Sequence, residues 1–93
     1  MIVDDSPVIA EALDSILSSH GCRVETCFSG ETGWERLVAG SGGEAPIPDV
    51  VLLDLRMPGL DGMSLLTRIR ADRGLASLPV IIVTADTNDE TRK

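Results

Sequence analysis

The sequence has few basic residues and no long apolar segment, and each shortage excludes a class of protein. Eight Lys and Arg residues stand against fifteen Asp and Glu residues, giving a formal net charge of −7. Because nucleic-acid-binding domains present clustered basic side chains to phosphates, we expect no nucleic-acid binding by this domain. The apolar runs fall well short of the roughly 20 residues of a membrane helix, so we expect a soluble protein without membrane contact.

No stretch of the sequence resembles a secretory leader, and cysteines are few. Met1 leads through two apolar residues into Asp4 and Asp5, without the basic region of a signal peptide, so we expect a cytoplasmic protein. Cys22 and Cys27 flank or lie in a short predicted strand, and if both belong to it their spacing puts them on opposite faces, which predicts two buried thiols and no disulfide. A length of 93 residues is typical of one domain.

Helix signals recur three times along the chain. Ser6 and Pro7 predict the start of a first helix, and Gly21 predicts its end. Ser29 is expected to cap the second helix and Asp61 the third, which would begin near Gly62. The side chains expected on the core-facing sides are Ile9, Leu13, Ile16 and Leu17 in the first helix, Trp34, Leu37 and Val38 in the second, and Leu65, Leu66 and Ile69 in the third.

Short apolar runs predict four strands between these helices. We expect them at residues 1–3, 23–27, 49–53 and 80–83, and residues 39–48 form a loop rich in Gly and Pro. Strands that alternate with helices of this length indicate βαβ units, a parallel sheet and right-handed crossovers. The sequence therefore predicts an α/β fold.

Polar side chains follow three of these strands directly. Asp4 and Asp5 come after the first strand, Asp54 after the third and Thr84 after the fourth. Since the carboxyl ends of parallel strands meet at one edge of the sheet, where ligands collect, we expect these four residues to lie close together. A solvated surface charge is the alternative interpretation of the acids, and a satisfied hydroxyl at a strand end is the alternative for Thr84.

Clustered carboxylates repel one another unless a cation neutralises them. Hard oxygen ligands without His or Cys nearby suit Mg²⁺ better than zinc, so we expect Mg²⁺ as the cofactor. With the metal bound, an oxygen of Asp54 could attack a phosphoryl group, and Thr84 would hydrogen-bond the transferred oxygens.

Three segments closely resemble the receiver domain of two-component response regulators. They are IVDDS at residues 2–6, DVVLLDLRMPGLDG at 49–62 and PVIIVTA at 79–85. The resemblance implies a flavodoxin-like doubly wound parallel sheet, here of order 2-1-3-4. It also implies a phosphoacceptor switch that takes a phosphoryl group from a sensor histidine kinase or phosphotransfer protein and signals by a conformational change, and we expect no enzyme in the usual sense.

The same resemblance implies a role for each residue of the site. Asp54 is similar to the phosphoacceptor of the family. Asp5 is similar to a direct Mg²⁺ ligand, Asp4 to an acid that acts through water, and the backbone carbonyl of Arg56 to a further ligand. Thr84 resembles the switch hydroxyl, and Ala85 the small residue that leaves space for the phosphoryl group.

The sequence departs from the family pattern at its carboxyl end. Receivers have a fifth strand that ends in a Lys, followed by a fifth helix, whereas the single lysine here, Lys93, lies only nine residues after Thr84. We therefore expect residues 1–93 to be a C-terminally incomplete receiver domain without that strand and helix. An uncovered fourth-strand edge would favour self-association, and the missing Lys would weaken phosphorylation.

Two other functions remain open. A degenerate receiver would bind partners without being phosphorylated, which the missing Lys makes plausible. A metal-dependent phosphohydrolase of the aspartyl-phosphate type would also place an Asp after a parallel strand, but it needs a second Asp two residues later, where this chain has Arg56. The kinase, the output and the signal are not encoded in these residues.

Overall fold

The computed structural model describes residues 1–83, so Thr84, Ala85 and Lys93 lie outside the described part of the chain. Four strands alternate with three helices: β1 (Ile2–Val3), α1 (Pro7–Ser19), β2 (Thr26–Cys27), α2 (Gly30–Ser41), β3 (Val51–Leu53), α3 (Gly62–Ala71) and β4 (Val80–Ile82). Within residues 1–83, no helix is long and apolar enough to cross a membrane.

The four strands form one parallel sheet of order β2-β1-β3-β4, which confirms the predicted fold class and strand order. Strands β1 and β3 are the inner pair, and Val3 lies beside Leu53 in the register. Their ladder continues one residue further, because the Asp54 N–H donates to the Val3 carbonyl over 2.9 Å. The register therefore places Asp4 next to Asp54.

Helices α2 and α3 cover one face of the sheet. Val3, Val51 and Leu53 point to this face and are fully buried, together with Leu37 of α2 and Leu65 of α3. Helix α1 lies on the opposite side, where Ala10 is buried but the larger inward side chains, Ile9, Leu13 and Leu17, are only half-buried. The principal core thus lies between the sheet and α2 and α3.

All four strands are shorter than the sequence predicted, the first by Met1 alone. The predicted strand 23–27 is limited to Thr26–Cys27, 49–53 to Val51–Leu53, and 80–83 ends at Ile82. Strand β1 explains the limit on the second strand, because it offers only Ile2 and Val3 as partners for β2. A run of residues with strand propensity becomes a strand only where a neighbouring backbone completes the ladder.

Three predicted core positions are wrong. Ile16 is 57% exposed and Val38 is 43% exposed. Ile16 lies beside the half-buried Leu17, and Val38 lies beside the buried Leu37. Neighbouring helix positions point about 100° apart, so the two members of each pair cannot both face the sheet. Cys22 is exposed rather than buried because it follows α1 outside any strand, whereas Cys27 is buried, and neither forms a disulfide.

The predicted helix caps are confirmed. The side chains of Ser6, Ser29 and Asp61 accept the backbone N–H of Ile9, Thr32 and Ser64, respectively. Because each helix follows a strand of a parallel sheet, the three capped amino ends lie towards the carboxyl edge of the sheet. That edge is where the acids lie.

Candidate metal centre

Three carboxylates meet at the carboxyl edge of the two inner strands. Asp4, Asp5 and Asp54 each present an oxygen, and these oxygens lie within 4.8 Å of one another. Asp4 is 2% exposed and Asp54 is 8% exposed, whereas Asp5 faces solvent. Two acids of the site are therefore buried, and the third is open to solvent.

Each of the two buried acids is oriented by a local turn of the same kind. The backbone N–H of Ser6 donates to Asp4 Oδ1 over 2.9 Å, and that of Arg56 donates to Asp54 Oδ1 over 3.1 Å. In both cases an Asp side chain accepts the N–H two residues later, which is the geometry of an Asx turn. These two hydrogen bonds fix the orientation of the carboxylates.

The electrostatics of the site favour a cation. Burial raises the pKa of Asp54 above its ordinary value of 3.8, and the charges of Asp4 and Asp5 raise the pKa further, against the opposing effect of the Arg56 N–H. Burial and like charge both disfavour the ionised carboxylate. A positive ion placed among the three oxygens would remove this penalty.

The loop after Asp54 is closed by its own backbone and by the cap of α3. The Gly62 N–H donates to the Leu55 carbonyl over 3.2 Å, and Asp61 Oδ1 accepts the Ser64 N–H over 2.8 Å. Met57, in the middle of the loop, is 7% exposed and belongs to the principal core. Arg56 is thus carried on a short loop with fixed ends.

Sequence reasoning missed one contact at this loop. Glu31, in the first turn of α2, accepts the Leu60 N–H at Oε2 over 2.9 Å. An acid in a first helical turn is expected for reasons of the helix dipole alone, so its type gave no signal. The contact joins residues 29 positions apart, which only the folded chain brings together.

The structure places some of the predicted site residues and leaves others outside its range. Asp4, Asp5 and Asp54 are brought together, and Arg56 follows them on the loop. Thr84 and Ala85 lie outside the described residues, so their positions in the site stay predictions. The use of the Arg56 carbonyl as a ligand also stays a prediction.

A hard divalent cation fits this donor set. The cluster offers carboxylate oxygens alone, which suit Mg²⁺ and Ca²⁺ better than zinc or copper. Mg²⁺ is commonly bound by one or two carboxylates and keeps several waters. Asp5 is exposed, so such waters could reach its carboxylate.

Comparison with curated proteins gives two relatives that share more than a third of their aligned residues with this chain. The chain is 36% identical over 85 residues to the transcriptional regulatory protein DltR of Streptococcus agalactiae, a match that covers 91% of this chain and 34% of DltR. It is 40% identical over 93 residues to protein PilH of Pseudomonas aeruginosa, covering 100% of this chain and 71% of PilH. The chain thus spans about a third of the length of DltR and most of PilH.

Comparison with solved structures gives a response regulator receiver protein. The N-terminal domain of a response regulator receiver protein from Methanoculleus marisnigri JR1 superposes with a TM-score of 0.76 at 39% identity, covering 95% of this chain and 67% of that chain. The sequence profile of the response regulator receiver domain matches residues 1–93. The fold, the acidic edge and these matches agree, and the chain belongs to the response regulator receiver domain family.

Proposed function

We propose that this chain is a cytoplasmic phosphoacceptor switch of a two-component system, with Asp54 as the residue that is phosphorylated and Mg²⁺ as the cofactor. The observation that carries the proposal is the meeting of three carboxylates, two of them buried, at the end of the two inner strands. Membership of the receiver family supports the general role. The residue assignments and the metal are the finer part of the proposal.

Asp5 and Asp54 would hold the metal directly, with the Arg56 carbonyl as a third protein ligand and Asp4 acting through water. This division is what the resemblance to the receiver family implies, and the exposed Asp5 could meet a hydrated ion. Bound Mg²⁺ would supply positive charge beside the transferred phosphoryl oxygens.

The chemical step is a phosphoryl transfer to a carboxylate. An oxygen of Asp54 forms a bond to phosphorus while the bond between phosphorus and the donor's nitrogen or oxygen breaks, and the donor leaves with that electron pair. The Arg56 N–H fixes the orientation of the carboxylate during attack. Thr84 would donate its hydroxyl to a phosphoryl oxygen, and Ala85 would leave space for the group.

The phosphoryl donor would be a sensor histidine kinase or a phosphotransfer protein. The family supports this class of partner, although the individual kinase is not defined by these residues. Phosphorylation would add negative charge and hydrogen-bond acceptors at Asp54, and a switch responds by shifting between two conformations that present different surfaces.

The 93-residue chain is also expected to associate with itself through β4. In the described residues β4 pairs with β3 on one side only, and Ile81 and Ile82 are 54% and 41% exposed. An open strand edge with apolar side chains favours pairing with a second copy of the chain. A strictly monomeric species in sedimentation at high concentration would count against this.

Phosphorylation can be tested with a small phosphodonor. The protein is incubated with acetyl phosphate and Mg²⁺, and intact mass spectrometry is expected to show one added phosphoryl group that is labile at alkaline pH. Asp54→Asn should abolish the adduct. Asp49→Asn is the matched control and should keep the adduct, since Asp49 is exposed and lies before the amino end of β3.

Each other result supports a different function. Sustained turnover of several phosphoesters, lost in Asp54→Asn, would favour the phosphohydrolase. No adduct on the folded wild-type protein would favour the degenerate partner-binding receiver.

A further inference from the structure

The loop between β3 and α3 carries the residue whose carbonyl is proposed to bind the metal, so its position matters for the site. The loop touches the amino end of α2 through Glu31, whose Oε2 accepts the Leu60 N–H over 2.9 Å. This bond is formed by the ionised carboxylate, and it lowers the pKa of Glu31 below the ordinary value of 4.5. Glu31 thus connects α2 to the loop that follows Asp54.

Two glycines allow the close approach of these elements. Gly30 packs against Leu60, and a Cβ on Gly30 would overlap the Leu60 carbonyl. Gly59 has a φ of +73°, a conformation that disfavours other residues, and a Cβ there would lie 2.5 Å from Glu31 Oε2. The backbone of α2 at Gly30 therefore lies directly against the backbone of the loop at Leu60, and a small movement of α2 would displace the loop.

We propose that Glu31 is a positioning residue for the metal site: through Leu60 it holds the loop so that the Arg56 carbonyl and Asp54 are arranged for Mg²⁺ before the ion binds. The inference rests on the proposed function, since it assumes that the acidic cluster binds Mg²⁺. Groups that orient metal ligands raise metal affinity because the site need not reorganise when the ion enters.

A second explanation of any effect at Glu31 is long-range charge. Removing one negative charge from an acidic protein lowers its attraction for a cation without any change in the loop. Two conservative variants separate the explanations. Glu31→Gln removes the charge but keeps an oxygen that can accept the Leu60 N–H, whereas Glu31→Asp keeps the charge on a side chain too short to reach it in the same conformation.

The test is a Mg²⁺ titration of the full 93-residue chain, followed by the ¹H–¹⁵N signals of Arg56 and Asp54. We expect Glu31→Asp to weaken Mg²⁺ binding about five-fold, below the roughly 10- to 100-fold cost of losing a group that bonds a metal ligand directly. Glu31→Gln should bind within about two-fold of wild type, because one charge on an exposed site is largely screened. Glu35→Gln, an exposed acid in the same helix, is the charge control.

Hydrogen exchange of the Leu60 amide gives a second readout. Exchange should accelerate in Glu31→Asp and stay near the wild-type rate in Glu31→Gln, without metal in either case. Glu31 is exposed, so both variants are expected to fold, which circular dichroism checks. Glu31→Ala replaces Glu31→Asp if the latter does not fold.

The outcomes separate the two proposals. Two results would overturn the positioning role and leave the phosphoacceptor site intact. The first is wild-type Mg²⁺ affinity in Glu31→Asp. The second is a loss of Mg²⁺ affinity that is equal in Glu31→Gln, Glu35→Gln and Glu31→Asp. A folded wild-type chain that does not bind Mg²⁺ would overturn the proposed site itself, and the positioning role with it.

Discussion

The acidic edge of the sheet and the apolar face under α2 and α3 are both buried, but burial has opposite consequences in the two regions. At the apolar face, Val51, Leu53, Leu65 and Ile69 have no exposed surface and gain free energy from leaving water. At the acidic edge, burial and neighbouring acids raise the pKa of Asp54, so the ionised site carries a cost. The face stabilises the fold, and the edge is held ready for a positive ligand.

This difference explains how the acids are held close to one another. The register between β1 and β3 fixes Asp4 beside Asp54, and the N–H groups of Ser6 and Arg56 bond their carboxylates. Core packing therefore imposes an arrangement that the acids alone would avoid. Perturbed carboxylates held in this way are typical of functional sites.

The largest expected effect comes from the apolar face. Leu65→Ala removes a fully buried side chain and should lower the free energy of unfolding by about 2–5 kcal/mol, measured by urea denaturation. Met63→Ala, in the same helix but 55% exposed, should change it by less than about 0.5 kcal/mol. Equal losses in the two variants would contradict the placement of the core on this side of the sheet.

The second largest effect on the free energy of unfolding is expected from metal binding at the acidic edge. Mg²⁺ at about 100 times its dissociation constant should raise the free energy of unfolding by about 2.7 kcal/mol, because the ion binds the folded state alone. Thermal or urea unfolding with and without Mg²⁺ measures this. The rise should vanish in the double variant Asp5→Asn with Asp54→Asn. A rise that persists there would place the metal elsewhere.

A smaller effect is expected at the capped helix ends beside the edge. Ser29 accepts the Thr32 N–H over 3.1 Å at the start of α2, and Ser29→Ala should lower the free energy of unfolding by about 1 kcal/mol. Ser15→Ala, at an exposed position inside α1, is the control and should be close to neutral. If the two variants unfold alike, the cap contributes nothing to the stability of α2.

The smallest effect has the opposite sign. Without metal, Asp54→Asn should raise stability at neutral pH, because it removes a carboxylate whose folded-state pKa lies above the unfolded value of 3.8. The folded state binds this proton more tightly, so the wild-type protein loses stability as pH rises from 3.8 through the raised pKa, and the loss is complete above it.

Urea midpoints of the metal-free wild type and Asp54→Asn across this pH range measure the difference. The gap between the urea midpoints of the two proteins should be largest at neutral pH and should shrink towards pH 3.8 and below. A gap that widens on acidification would show that Asp54 is stabilised in its charged form and would remove the electrostatic argument for a cation.

Much of the architecture could be predicted from the sequence because its signals are local. Ser6, Ser29 and Asp61 were recognised as caps from residue type and position, and the short apolar runs gave the order of the elements. The ends of the strands could not be predicted, since β2 is limited by the two residues of β1 that pair with it. Ile16 and Val38 were misplaced because helical spacing does not resolve neighbouring positions at the margin of a buried face.

At the site, the meeting of Asp4, Asp5 and Asp54 was predicted from their places after parallel strands, and the structure does bring the three together. Glu31 could not be predicted to touch Leu60, because that contact depends on how α2 packs on a loop far away in the sequence. Thr84 and Ala85 stay predictions that the described residues do not test.

A crystal structure determined with Mg²⁺ would show whether the three acids hold the ion. We expect one ion at about 2.0–2.1 Å from oxygens of Asp5 and Asp54 and from the Arg56 carbonyl, with Asp4 reaching it through water. A structure in which these carboxylates point apart, with no ion between them at saturating Mg²⁺, would contradict the account.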